Sequence, residues 1–243
     1  MIFDYHSLTR RVKYRISTAL STYPTVYYGI RQITGMMDDR CVKSDTELVI
    51  EGYPRSANST TVASFQACQT RIVKIAHHKH SVAQVLLAIR RDIPAVVLIR
   101  NPKDTIISYV SLIQESQIRN GSKKGEITFF DALLGWNVFY RVLESHTDKF
   151  VIAPFHKVIQ DISGTIRAIN KKFGTDFQEE PLTEPLDKPL GWHAKPNELR
   201  NHIKQALEEE FAKTLLESRE LKQSFNEAYS RYQLFMDLYD RCY

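Results

Sequence analysis

At 243 residues, with 43% apolar and 25% charged positions, the chain suits one globular domain with a full core and excludes an intrinsically disordered protein. The formal charge of +5 favours anionic ligands, but 33 basic and 28 acidic residues are mixed without long runs of one sign, and no basic stripe with interleaved aromatics marks a nucleic-acid module. Cys41, Cys68 and Cys242 are an odd number without CxxC spacing, which argues against a disulfide framework and a zinc site and for a reducing compartment.

Residues 1–45 read as an N-terminal helical segment. Within it, Ser7 to Ile33 mixes Arg, Lys and Tyr with Leu, Ile and Val; it suits a packed helix, and an amphipathic helix lying on a membrane surface is the other reading. The chain start, with Asp4 and Arg10-Arg11, lacks a signal-peptide core, and no stretch approaches the ~18 apolar residues of a membrane span, so a cytoplasmic location is expected.

From residue 48 onward, short β-branched runs alternate with helical patterns, the signature of a parallel sheet covered on both faces, and an α/β core over 48–178 is expected. Strands are predicted over Leu48 to Tyr53, Arg71 to Ala76, Ala95 to Arg100 and Phe150 to Phe155. Helices are predicted at about Ser59 to Gln69, Ser81 to Arg91, Asp104 to Ile118 and Phe129 to Ser145, from apolar positions at spacings of three and four. Asn120 to Gly125 is a basic turn, and Glu179 to Pro196, with four of the nine prolines, reads as an extended loop. A helical C-terminal segment over 197–239 is expected to break near Ser218, all within a single domain of residues 1–243.

Gly52-Tyr53-Pro54-Arg55-Ser56-Ala57-Asn58-Ser59-Thr60-Thr61 leaves a strand, turns and enters a helix, where backbone N–H groups and the helix dipole can hold an anion. The spacing echoes the Walker pattern, yet Asn58 stands where the lysine would reach a β/γ-phosphate, which disfavours a P-loop small-molecule kinase. Arg55 offers a planar, bidentate cation instead.

The run Tyr53 to Ser59 resembles the 5′-phosphosulfate loop of sulfotransferases that use 3′-phosphoadenosine-5′-phosphosulfate (PAPS), often written Tyr-Pro-Lys-Ser-Gly-Thr-Thr. Here Arg55 stands for Lys, Ala57 for Gly, and Asn58-Ser59 for Thr-Thr. The resemblance implies a P-loop NTPase-like sulfotransferase fold, with Arg55, Ser56, Ala57, Asn58, Ser59 and Thr60 on the 5′ side of PAPS.

The second anion motif is the strand ending in Arg100, followed by Asn101 as N-cap, Pro102 in the first helical position and Asp104 in the first turn. Arg100 then stands at the carboxyl edge of the sheet, where ligands bind in open α/β folds. In the same family an Arg and a Ser eight positions apart, in Arg-Asn-x-Lys-Asp-x-x-x-Ser, bind the 3′-phosphate, and Arg100 and Ser108 match them.

His77-His78-Lys79-His80 follows the second strand, and a neutral imidazole there could take the proton of an acceptor hydroxyl. The family carries its catalytic base in this interval; His78 is the first candidate and His80 the second. The implied reaction moves a sulfuryl group from PAPS to the hydroxyl of a small molecule or carbohydrate, leaves 3′-phosphoadenosine-5′-phosphate (PAP) and uses no metal. A non-catalytic nucleotide-binding protein of the same fold is the remaining alternative. The resemblance is firm over residues 48 to 110; the family's C-terminal Arg-Lys-Gly element is not visible, and Lys195 to Arg200 is the candidate replacement.

Overall fold

Residues 5–121, 127–181 and 197–242 are described by the computed structural model. The Pro-rich stretch 182–196, with Trp192, His193 and Lys195, and most of the Asn120 to Gly125 turn lie outside them.

Two helices, α1 (Tyr5–Leu20) and α2 (Pro24–Ile33), precede the core. The N-terminal segment is thus a helical pair and not one packed helix, because Pro24 lacks the N–H that would continue α1 and instead starts α2. Then follow β1 (Leu48–Gly52), α3 (Asn58–Cys68), β2 (Ile75–His77), α4 (Val82–Arg90), β3 (Ala95–Ile99), α5 (Pro102–Asn120), α6 (Phe129–Leu143) with a 3₁₀ turn, β4 (Val151–Pro154), the single turn α7 (Phe155–Val158), α8 (Ser163–Phe173), α9 (Glu198–Glu217) and α10 (Arg219–Cys242).

The four strands form one parallel sheet in the order β2-β1-β3-β4, flanked by helices, which is the expected α/β architecture. Successive side chains of a strand point to opposite faces. Val49, Val97 and Ile99 accordingly join one core with residues of α4, α5, α6, α9 and α10, while Leu48, Ile50, Val96 and Leu98 join the other with residues of α3 and α8. β2 is shorter than the predicted 71–76 run: only Ile75–His77 pairs with β1, and Ile72 is left exposed. Helix α8 was not predicted at all.

The chain leaves β1 toward β2 on one side of it and returns to β3 on the other, so the crevice of the sheet opens between the carboxyl ends of β1 and β3. Gly52 is paired with Leu98 there, and a Cβ on it would sit 2.7 Å from the Leu98 carbonyl oxygen. At the far end of the chain, Ser218 separates α9 from α10 and its hydroxyl accepts from the Leu221 N–H, capping the second helix.

Candidate active site

The turn from β1 into α3 is held in a strained shape. Arg55 (φ 73°) and Ala57 (φ 75°) are both left-handed, a conformation costing an L-residue roughly 1 kcal/mol or more. Asn58 is buried and its Nδ2 donates to the carbonyls of Gly52 and Tyr53, so it seals the turn from within where a kinase would carry a lysine. No side chain caps α3, so its first amides lack partners of their own helix, and Ala57 to Thr60 line the cleft.

The turn from β3 into α5 supplies the second cation. The expected cap is present: the Asn101 side chain accepts from the Lys103 N–H and Pro102 occupies the first turn. Arg100 Nη1 donates to the Arg55 carbonyl at 3.1 Å, and its guanidinium lies 4.1 Å from the centre of the Phe155 ring. Its Nε is buried without a hydrogen-bond partner among the described residues. Arg55 Nε in turn donates to Ser108 Oγ at 3.0 Å, so the two motifs, 45 residues apart in sequence from Arg55 to Arg100, are joined side chain to side chain.

The positive charge here is crowded. Burial, then repulsion from Arg200 and Arg100, lowers the Arg55 pKa to about 10, with Glu115 opposing. Burial also lowers that of Arg100, and Lys204 is lowered by burial and by Arg100, Arg55 and Arg200. Glu115, the carboxylate facing this group, is already bound: it accepts from Arg200 Nε at 2.6 Å, Arg119 Nε at 2.8 Å and Asn197 Nδ2 at 2.8 Å. Those bonds dock α9 on α5 and carry Arg200 and Lys204 toward Arg55. A cluster of this kind is relieved by an added anion.

The histidines fall on the other side of the turn. His78 and His80 are both left-handed, so four of the five non-glycine residues with positive φ among the described residues surround this cleft. His78 is engaged at both nitrogens, Nε2 with Ser59 Oγ at 2.7 Å and Nδ1 with Nδ1 of His77. His80 Nδ1 lies 3.0 Å from the Gly52 carbonyl, which can only accept, so Nδ1 carries the proton and Nε2 is the basic nitrogen. Burial keeps the His80 pKa below its ordinary value, and hence the ring neutral at pH 7. Beneath the loop, the buried Glu51 carboxylate takes the Lys79 N–H on one oxygen and the His80 N–H on the other, with Gln84 Nε2 as a third donor. Burial nonetheless lifts its pKa to about 7 against those bonds. Lys79 is no solvated lysine: its Nζ meets Asp38 at 2.6 Å.

Arg55, Ala57 to Thr60, His78, Lys79, His80 and Arg100 line one cleft of about 600 Å³. Its remaining wall carries hydroxyls from Tyr14, Ser17 and Thr18 of α1, from Ser21 just after it, and from Tyr53 and Tyr109, beside apolar Leu112, Phe139, Phe155 and Ile159. Tyr14 OH meets Tyr53 OH at 2.8 Å, and Tyr53 OH donates to the Ala132 carbonyl. Both rings need Gly135 on α6, because a Cβ there would lie 2.0 Å from Tyr14 OH. The buried Asp131, itself the N3 residue of the α6 capping box, accepts from Arg11 Nε and Arg15 Nε at 2.6 Å each and fastens α1 in position.

No family model and no curated protein matches this chain. Among solved structures, the chain is similar to the crystal structure of mouse sulfotransferase SULT7A1 complexed with PAP, at 11% sequence identity and a TM-score of 0.39, over 76% of this chain and 90% of that one. A likeness of that size says nothing about the side chains of the cleft.

Arg55, Ser56, Ala57, Asn58, Ser59, Thr60, His78, His80, Arg100 and Ser108 thus gather at the carboxyl edge of β1 and β3. Ser56 is fully buried and lies behind the turn, with its N–H bonded to the Tyr53 carbonyl. Of the replacement cations sought in Lys195 to Arg200, Arg200 lies beside the cluster and Lys195 is outside the described residues. Lys204 and Glu51 were missed by the sequence reading. Lys204 follows Arg200 by one helical turn, which was the available signal; a glutamate inside an apolar strand was the signal for Glu51.

Proposed function

We propose that the chain is a sulfotransferase that uses PAPS as donor and acts on a hydroxyl group. The observation carrying this reading is the crowding of Arg100, Arg200 and Lys204 around Arg55, which itself follows β1 beside the uncapped amino end of α3, with a neutral histidine across the turn. The group fits a ligand with phosphates at two ends. Arg55 and the first amides of α3 suit the 5′ end, and Arg100 with Ser108 suits the 3′-phosphate. The unpartnered Arg100 Nε supports the second assignment.

PAPS, when bound, would supply a sulfuryl group on a phosphate leaving group. His80 Nε2 takes the proton of the acceptor hydroxyl as its oxygen bonds to sulfur; Arg55 and the α3 amides hold the negative charge that passes to the departing phosphate as its bond to sulfur breaks. His80 is preferred to His78 as the base, since both His78 nitrogens are engaged with Ser59 and His77. Ser59 and His78 then position the amino end of α3. Tyr14, Tyr53 and the α1 hydroxyls suit a polar acceptor such as a sugar or a small alcohol. Asn58 in the Walker-lysine position counts against the kinase reading.

The test is calorimetric titration with PAP and with ATP plus Mg²⁺, followed by PAPS-dependent transfer to a panel of hydroxyl compounds. PAP should bind and ATP should not. His80→Ala should keep PAP affinity while transfer falls by about 10²–10⁴, and His78→Ala should lose less. Preference for ATP would overturn the proposal. PAP binding with no transfer to any acceptor in wild type would instead favour a non-catalytic binding protein.

A further inference from the structure

The net charge of the molecule has one address. Residues 5–37 contain Arg10, Arg11, Lys13, Arg15 and Arg31 and no acidic residue, which leaves 28 basic residues elsewhere against all 28 acidic ones. The entire formal excess of +5 therefore belongs to the α1–α2 pair and the few residues around it.

The same pair exposes apolar side chains in register. On α1, Val12, Ile16 and Ala19 follow one another at spacings of four and three and are all exposed, with Lys13 and Arg15 on either flank. On α2, Tyr23 at its N-cap, Val26, Ile30 and Ile33 follow at three, four and three; Ile33 is 87% exposed, and exposed Met36 comes just after. Seven of the fourteen large exposed hydrophobic residues among those described lie in this short segment. Arg11 and Arg15, though bonded to Asp131, keep side-chain exposures of 34% and 43%, so they still present charge to solvent.

We propose that α1 and α2 form a docking face for an anionic lipid bilayer. Apolar residues along a helix with cations on both flanks are what the boundary between headgroups and acyl chains accommodates, the long basic side chains reaching back to the lipid phosphates. Unbroken single-sign charge over this segment complements a uniformly anionic surface, whereas the centre of a protein interface is depleted in charge. The attachment is interfacial: among the described residues no helix is long and apolar enough to cross a membrane. The opposite side of α1 contributes Tyr14, Ser17 and Thr18 to the cleft wall, so α1 would stand between the bilayer and the cleft. The docking itself does not depend on the sulfuryl-transfer reading.

The experiment is cosedimentation of the full chain with vesicles of phosphatidylcholine alone and of phosphatidylcholine mixed with phosphatidylserine, at low and high salt. Wild type should bind the mixed vesicles at least about tenfold more tightly than the neutral ones, and salt should weaken that binding. The double variant Ile16→Glu/Ile33→Glu should lose at least about tenfold, while its melting temperature and PAP affinity stay at wild-type values, because both positions are exposed. Lys13→Glu should lose less, with no change in fold. No preference for anionic vesicles, or full binding by the double variant, would overturn the proposal. So would a concentration-dependent dimer in gel filtration that the double variant abolishes while neither protein binds vesicles, since the face would then belong to a second copy.

Discussion

Two strand–turn–helix units stand side by side at the edge of this sheet, and they deliver their arginines by opposite means. The β1–α3 turn is left-handed at Arg55 and Ala57 and leaves the amino end of α3 without a side-chain cap. The β3–α5 turn is closed by Asn101 and Pro102, which occupy the positions a bound anion would need. The first unit therefore offers backbone amides together with a guanidinium. The second offers a guanidinium alone, on a helix end already satisfied. A cap and an anion compete for the same N–H groups, so the missing cap of α3 is a stronger mark of a binding site than its missing Walker lysine.

The comparison can be broken at several points. The largest effect is expected beneath the first turn, at Glu51, whose carboxyl pKa is lifted by burial to about 7 from 4.5. The folded state holds that proton more tightly than the unfolded state, so stability falls as pH rises from about 4.5 to about 7, by up to about 3 kcal/mol. His77, lowered to about 4 by burial, works the other way between about 4 and 6.5, so the wild-type profile is a composite. Urea melts of wild type and Glu51→Gln across this range should differ by a slope of the stated sign, and parallel profiles would remove Glu51 from the account. Next comes Arg100→Ala, which should weaken PAP about ten- to a hundredfold, a charge-assisted bond being worth about 1.5–3 kcal/mol, with little change in melting temperature. The smallest effects make the sharpest contrast between the turns. Asn101→Ala should cost about 1 kcal/mol of stability and leave PAP affinity nearly unchanged, while Ala57→Gly should add up to about 1 kcal/mol by relieving the left-handed alanine. Equal and opposite melting-temperature shifts without a change in calorimetric affinity would bear out the division of labour; a loss of PAP affinity in Asn101→Ala would erase it.

How much of this was legible depended on whether the information was local. The short β-branched runs of β1 and β3, the Asn101-Pro102 helix start and the stop at Ser218 are read within a few residues, and the structure keeps them. Helix α8 was legible in principle, since Ile162, Ile166 and Ile169 recur at four and three and are buried, but the β-branched residues and Gly164 of its first turn masked the pattern. The Ser108 partner was out of reach: Arg55 finds it across 53 residues because parallel pairing brings the ends of β1 and β3 together. The ordering of His78 and His80 turns on which nitrogen meets Gly52 and which meets Ser59, and no spacing in the chain encodes that. Glu51 stood out as a glutamate among apolar neighbours, but its partners are amides of a loop arriving from β2, 28 and 29 residues further on.

The two sides of the cleft hang from different parts of the chain. Its arginines follow β1 and β3, whereas Tyr14, Ser17 and Thr18 come from one helix, α1, fastened by a single carboxylate, Asp131, and by the fit of Tyr14 over Gly135. Substitutions on the inner side of α1 can therefore reshape one wall without disturbing a single residue of the other. A scaffold divided in this way can drift toward new acceptors while its grip on a doubly charged donor stays fixed.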